Sequence, residues 1–257
     1  MKVKAIFSVS SSIGKRPSMQ DTHAYVEALG KHKYSFLGVY DGHGGTVFAE
    51  LAAQKIHRSV ETYLNSSTKP LEAVKKAFID LDSEICRLGV KGGTTASVVL
   101  LRNDALLVAH VGDTRVVLQQ ENRVIQLTKD HRHNDPEEAQ RYRSSKWYQE
   151  KSRLVSQGKI KGFYLLAVSR SLGDCFFEDA VSAVPETTQI TLKGDEKLII
   201  GTDGLWEVMS NEDAYDIYAN CSPQEASDLL VREALQRGGS DNITVATIHF
   251  SQEGLPE

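Results

Sequence analysis

Four stretches of the chain put an aspartate at the end of a β-rich run, beside a glycine or serine. They are Val39-Tyr40-Asp41-Gly42-His43-Gly44-Gly45, Val111-Gly112-Asp113, Gly201-Thr202-Asp203-Gly204 and Ser240-Asp241-Asn242. One such aspartate is ordinary turn chemistry. Four of them can converge on one edge of a sheet, and clustered carboxylates resist ionising unless cations neutralise them. An all-oxygen ligand set, without a Cys or His cluster, selects hard ions such as Mg²⁺ or Mn²⁺ over zinc. Two such ions held about 3.5–4 Å apart share a bridging water, lower its pKa and stabilise the attacking and leaving oxygens of an in-line phosphoryl displacement. Gly42, Gly44 and Gly45 let the backbone take positive φ and approach a ligand, even offering it a carbonyl oxygen. Arg16 and His43 supply what metals do not. An arginine fork matches two phosphoryl oxygens, and histidine is the side chain best placed in pKa to protonate a leaving alkoxide near neutrality.

The elements that must position these groups follow from periodicity. Lys4 to Ser10 reads as a strand, followed by a polar turn-rich segment to Asp21; Ala24 to Leu29 and Tyr34 to Tyr40 read as a strand pair. Asp41 is expected in the turn after that pair, before a helix over Thr46 to Tyr63. Leu71, Val74, Phe78, Leu81, Ile85 and Leu88 then recur at helical spacing after Pro70, which suits a first turn. Thr94 to Leu101, Ala105 to Val111, Arg115 to Gln119 and Val124 to Leu127 are short β-rich runs with connections too brief for parallel crossovers. A short helix is expected over Pro136 to Tyr142, then an irregular basic segment. Leu165 to Val168, Thr187 to Leu192, Leu198 to Gly201 and Asn242 to Phe250 resume the strands. Ser222-Pro223-Gln224-Glu225 carries capping-box spacing and starts a helix to Leu235. Helices with one apolar stripe flanking mostly antiparallel strands point to an α+β fold, two sheets face to face with helices outside.

Composition narrows the function classes. The 257 residues suit one large domain, and no linker or internal repeat divides them. A formal charge of −4 argues against nucleic acid as the main partner. Cys86, Cys175 and Cys221 are far apart with no C-x-x-C pair, which suits structural thiols in a reducing compartment rather than disulfides or zinc. No run is long enough to span a membrane, and the N-terminus lacks a signal-peptide block. A soluble, cytoplasmic monomer is expected.

Eight blocks, in order, resemble the type 2C metal-dependent serine/threonine protein phosphatases of the PPM family. They are Arg16-Pro17-Ser18-Met19-Gln20-Asp21, Val39 to Gly45, Gly93-Thr94-Thr95-Ala96, Val111-Gly112-Asp113-Thr114-Arg115, Leu127-Thr128-Lys129-Asp130-His131, Leu166 to Asp174, Thr202-Asp203-Gly204-Leu205-Trp206 and Gly239-Ser240-Asp241-Asn242-Ile243-Thr244. The resemblance implies a four-layer α-β-β-α sandwich with two metals between the sheets, hydrolysing phosphoserine and phosphothreonine in phosphoproteins by a metal-bridging hydroxide. By position, Asp41 would bridge the ions, Asp203 and Asp241 would complete the first, and the Gly42 carbonyl would ligate the second. Asp21, with the residue at Gln20, would hold metal-bound waters. Arg16 would grip the phosphate and His43 would be the general acid. Asp113 matches the position of a weaker third ion, and Asn242 supports the Asp241 turn. Ser169-Arg170-Ser171-Leu172-Gly173-Asp174 reads as scaffold.

The chain departs from the family pattern at a few positions. Gln20 replaces a common Glu, which loses a charge near the second metal. Glu207 replaces a common Asp, which puts the third ion in doubt, and His133 replaces a common Pro. A flap-like insertion over about 141–164 carries Arg141, Arg143, Lys146, Lys151, Arg153, Lys159 and Lys161 against Glu150. It reads either as a solvated loop or as a surface that draws acidic phosphopeptides by screened attraction. Two other readings stay open. A catalytically inactive pseudophosphatase scaffold would have no physical need for all the acids together with Arg16 and His43. A two-metal nuclease would share the metals but lacks a basic stripe.

Overall fold

The computed structural model describes residues 2–121, 123–141, 147–150, 153–156 and 166–252. Strands β1 (Val3–Ser12), β2 (Asp21–Leu29) and β3 (Tyr34–His43) lead to helices α1 (Val47–Asn65) and α2 (Pro70–Arg87). A meander follows: β4 (Gly93–Thr94), β5 (Ala96–Arg102), β6 (Ala105–Val111), β7 (Arg115–Gln120) and β8 (Arg123–Gln126). After α3 (Pro136–Ala139) come β9 (Trp147–Glu150), β10 (Arg153–Ser156), β11 (Leu172–Gly173) and a 3-10 helix (Cys175–Ala180). The chain then runs through β12 (Glu186–Thr191), β13 (Lys197–Gly201), α4 (Asp203–Trp206), α5 (Asn211–Tyr218), α6 (Pro223–Gln236) and β14 (Ile243–Gln252).

Two antiparallel sheets result. One runs β1-β14-β13-β7-β8; the other runs β11-β4-β3-β5-β6-β12, with β2 also paired to β3. Alternation along each strand sorts side chains into three apolar layers. In β3, Phe36 and Tyr40 face α1 and α2, packing with Phe48, Ile56, Val74 and Phe78. Leu37 and Val39 face the other way, into a layer shared with Val116, Leu118, Leu198, Ile200, Ala246 and Ile248 of the opposite sheet. The outer face of that sheet packs Ile199 and Val245 on Leu205, Tyr218 and Leu230 of α4, α5 and α6. This is the expected four-layer α-β-β-α sandwich. The Ser222–Glu225 capping box starts α6 as its spacing predicts.

Three expectations need correction. Asp41 is not in the turn: β3 continues through Asp41, Gly42 and His43, and the chain first reverses at Gly44 and Gly45, which hold positive φ. The sequence obscured this because Asp-Gly reads as a turn wherever it stands. The segment read as irregular holds a hairpin, β9 paired to β10. Arg143, Lys146, Lys151, Lys159 and Lys161 lie outside the described residues. Arg141 is no free surface charge, since it donates to Glu138 Oε2 at 2.7 Å and to the Ser169 carbonyl at 2.6 Å.

The third correction concerns the cysteines. Cys86, in the last turn of α2, forms a disulfide with Cys175 at the start of the 3-10 helix, with Cα atoms 5.6 Å apart. Their separation of 89 residues hid the pairing from spacing rules and removes the argument for a reducing compartment. Cys221 is the free thiol. In the chain-entropy picture a loop of this length implies about 4–5 kcal/mol of stabilisation from the bond. Thiol titration in denaturant without reductant should therefore find one reactive thiol rather than three, and reductant should lower the melting temperature of the wild type but not of a Cys86→Ser/Cys175→Ser variant.

Candidate metal centre

The layer between the sheets turns polar at one end. Past Leu37 and Val39, strand alternation aims Asp41 into the same layer, and Asp21 is its cross-strand partner on β2. From the opposite sheet, Thr202 Oγ1 donates to Asp21 Oδ2 at 2.9 Å and accepts from the Thr244 backbone N–H at 3.0 Å. Asp203 follows Thr202 at the start of α4, and Asp241 precedes Asn242 at the entry to β14. Asn242 ties this corner together. Its side chain accepts from the Gln20 N–H at 2.7 Å and donates to the carbonyls of Ile13 at 2.9 Å and Ser18 at 3.0 Å. The loop carrying Arg16 is thereby fastened to the Asp241 turn, in the supporting role expected of Asn242.

The electrostatics are those of a site that wants cations. Burial, with Asp21, Asp203, Asp113 and Asp241 nearby, raises the Asp41 carboxyl well above the usual range. Burial, then Asp113, Glu207 and Asp241, pushes Asp203 up to about 8, and burial pushes Asp21 up to about 6. Asp21 Oδ1 is buried without a hydrogen-bond partner among the described residues. An all-oxygen cluster that holds protons because it is buried and its members repel fits hard divalent ions. Gly42 leaves room for this closeness: a Cβ there would stand 2.7 Å from the Gln20 carbonyl oxygen and 3.1 Å from Ala49 Cβ.

Two arginines supply part of the missing charge. The exposed Arg16 guanidinium pairs with Asp241 Oδ2. Arg132 pairs with Asp113 Oδ2 at 2.8 Å. Burial works against the Arg132 charge, but Asp113, Asp130, Asp203 and Glu207 outweigh it. Arg132 thus stands among the acids expected around a third ion, a role the sequence reading did not give it. Glu207 is exposed. His43 Nε2 lies 2.6 Å from Asp174 Oδ2. Burial pulls the His43 pKa down, while the charge and hydrogen bond of Asp174 push it up, and the net direction is upward. Asp174 therefore touches the site, whereas the rest of its segment does act as scaffold: Ser169 and Arg170 both donate to the buried Glu138.

A second cluster, His110, His131 and Glu186, has ligand atoms within 4.8 Å of one another. Its protonation pattern argues against a metal. The Gly112 N–H donates to His131 Nδ1 at 3.1 Å, so Nε2 carries the proton and faces Glu186 Oε1 at 3.4 Å. His110 Nε2 donates to the Lys129 carbonyl at 2.9 Å, and the two rings stack at 4.4 Å. Burial, then the neighbouring His110, lowers the His131 pKa to about 2, so the pair stays neutral and braces the strand ends.

A sandwich of two sheets with buried acids gathered at one end of the layer between them is a fold that comparison with known proteins identifies. The protein phosphatase 2C family model matches residues 6–243. A probable protein phosphatase 2C 54 of Oryza sativa subsp. japonica is 34% identical, covering 96% of this chain and 73% of the relative. The protein phosphatase 2C homolog 1 of Saccharomyces cerevisiae is 32% identical, covering 91% and 88%. Among solved structures, a serine-threonine phosphatase 2C from Toxoplasma gondii superposes with a TM-score of 0.82 at 21% identity, covering 95% of this chain and 94% of that one. A C. elegans sex determining protein also superposes at 0.82, with 24% identity, covering 97% of this chain and 65% of that one. The chain belongs to the protein phosphatase 2C family.

A carboxylate whose folded pKa is raised from near 4 to about 8 binds more protons folded than unfolded across that window, so its contribution to stability falls as pH rises. The metal-free protein should thus carry a larger electrostatic penalty at pH 8 than at pH 5.5. Asp203→Asn should raise the metal-free melting temperature there, by about 2–4 °C for each kcal/mol relieved. It should also shrink the rise that Mn²⁺ produces. In the wild type that rise should be larger at pH 8 than at pH 5.5. Thermal melts at both pH values check this, and a lower metal-free melting temperature for Asp203→Asn would contradict it.

Proposed function

We propose that the chain is a divalent-metal-dependent phosphatase acting on phosphoserine and phosphothreonine in proteins, with the match over residues 6–243 supporting one catalytic domain. The observation that carries this reading is the cluster of acids at one end of the inter-sheet layer, with pKa values raised by burial and by one another. Asp41, Asp203 and Asp241, with the Gly42 carbonyl, would hold two ions, Mg²⁺ or Mn²⁺, and Asp21 with Gln20 would support them from behind. When bound, those ions would supply Lewis acidity, acidifying water and neutralising charge on the phosphoryl group.

The chain's own residues do the rest. Arg16, on the exposed rim, gives up its Asp241 partner when a cation takes that carboxylate, and its fork is then free for two phosphoryl oxygens. His43, about one-third exposed, gives a proton to the seryl or threonyl oxygen as the P–O bond breaks. Asp113 already has the Arg132 cation beside it, which offsets part of the cost of its burial and lessens its need of a third ion; this supports a two-ion centre. A pseudophosphatase scaffold would gain nothing from burying these repelling acids. Among the described residues no helix is long and apolar enough to cross a membrane.

Protein stripped with chelator should hydrolyse a phosphothreonine peptide only after Mn²⁺ or Mg²⁺ is restored. Arg16→Ala should raise KM about tenfold, the cost of one charge-assisted fork. No turnover from folded protein at millimolar metal on several phosphopeptides would move the reading to the scaffold. Calorimetric titration with Mn²⁺ should fit two sites in the wild type, and Arg132→Ala should add a weaker third. A third site already present in the wild type would refute the role given to Arg132.

A further inference from the structure

Asp174 lies 131 residues from His43 in sequence, yet its Oδ2 lies 2.6 Å from His43 Nε2, within hydrogen-bond distance. Three adjacent strands bring them together: His43 on β3 is opposite Gly93 on β4, which is opposite Gly173 on β11. The missing side chain at position 93 opens the path, since a Cβ there would stand 2.5 Å from Asp174 Oδ2. The Asp174 side chain is only 3% exposed, whereas that of His43 is 32% exposed.

The local backbone is held against its own preference. Asp174 adopts φ 55, in the left-handed region, a conformation that costs a residue other than glycine free energy. Several contacts impose it. The Asp174 N–H donates to the Gly92 carbonyl at 2.9 Å, and the Gly173 N–H donates to Asp82 Oδ1 at 2.8 Å. Ser171 Oγ donates to Asp174 Oδ2 at 2.5 Å, and the next residue is bonded to α2 through the Cys86–Cys175 disulfide. Strain maintained by so many neighbours, and directed at one histidine, marks a constraint on that histidine rather than on the fold at large.

We propose that Asp174 is a positioning residue for His43: it accepts a hydrogen bond from Nε2 and fixes the ring so that Nδ1 faces the leaving oxygen. This rests on the phosphatase reading. As the P–O bond to the seryl or threonyl oxygen breaks, its electron pair stays on that oxygen, which takes the Nδ1 proton. The attacking water supplies the new P–O bond and releases its own proton to solvent. The ring passes from imidazolium to neutral imidazole and keeps its Nε2 proton on Asp174. The leaving side chain departs over the cleft of about 250 Å³ that His43 and Asp174 line together with Gly44, Phe176 and Phe177.

The test compares two leaving groups in the metal-loaded protein. A phosphothreonine peptide releases an alkoxide that needs a proton, while p-nitrophenyl phosphate releases a phenolate that does not. Asp174→Asn suits the test because asparagine tolerates the left-handed backbone. It should lower kcat for the peptide about 10²-fold, the scale of general-acid catalysis, with KM little changed, and lower kcat for p-nitrophenyl phosphate far less. Asp174→Glu, which keeps the charge but moves it, should lose less on the peptide than Asp174→Asn. In ¹⁵N-labelled protein, the His43 ring should show a protonated, strongly hydrogen-bonded Nε2 in the wild type and lose that signature in Asp174→Asn. Equal losses on both substrates, or a ring signal the same in variant and wild type, would overturn the proposal. A wild type that turns over neither substrate would instead count against the phosphatase reading, and the ring signal, which needs no turnover, would still report whether Asp174 holds His43.

Discussion

Repulsion between carboxylates held at one end of a buried layer is the constraint on which the rest of this structure depends. Asp21 and Asp41 face one another across β2 and β3, and Asp203 and Asp241 approach from the other sheet. Burial alone makes their charges costly, and each raises the cost of the next. The apolar layers on either side provide the rigidity that keeps such a cluster assembled. Leu37, Val39, Ile200 and Ala246 lock the sheets face to face, so the acids cannot relax apart. The cluster is thus a local instability supported by a core that extends well beyond it.

Around this cluster the chain arranges its cations at graded cost. Arg132 is partly buried beside Asp113, and its charge there is built in. Arg16 is exposed beside Asp241 and can leave. His43 is turned from the acids of the metal site to a separate carboxylate at Asp174. In the proposed in-line displacement at phosphorus, the mobile cation would meet the phosphoryl oxygens and the histidine would carry the proton.

Most of this was legible in the sequence because the information was local. Aspartates at strand ends, alternating apolar runs and the Ser222–Glu225 box state their own geometry within a few residues. What stayed hidden was non-local. Nothing near Cys86 points to Cys175, and nothing near Asp174 points to His43, because both contacts depend on β11 pairing with β4 and β4 with β3. The persistence of β3 through Asp41 was hidden for another reason. Asp-Gly carries a strong turn preference, and the ladder to β2 and β4 overrides it. The same ladder starts β2 at Asp21, three residues ahead of its apolar run, and so sets Asp21 opposite Asp41.

The central claim is that the repelling carboxylates are a metal centre. It is tested most directly by anomalous diffraction from crystals of the chain grown with Mn²⁺. Two strong peaks are expected in the inter-sheet layer, both beside Asp41, one reached by Asp203 and Asp241 and the other by the Gly42 carbonyl. No peak there at millimolar Mn²⁺, with the acids still clustered, would contradict it.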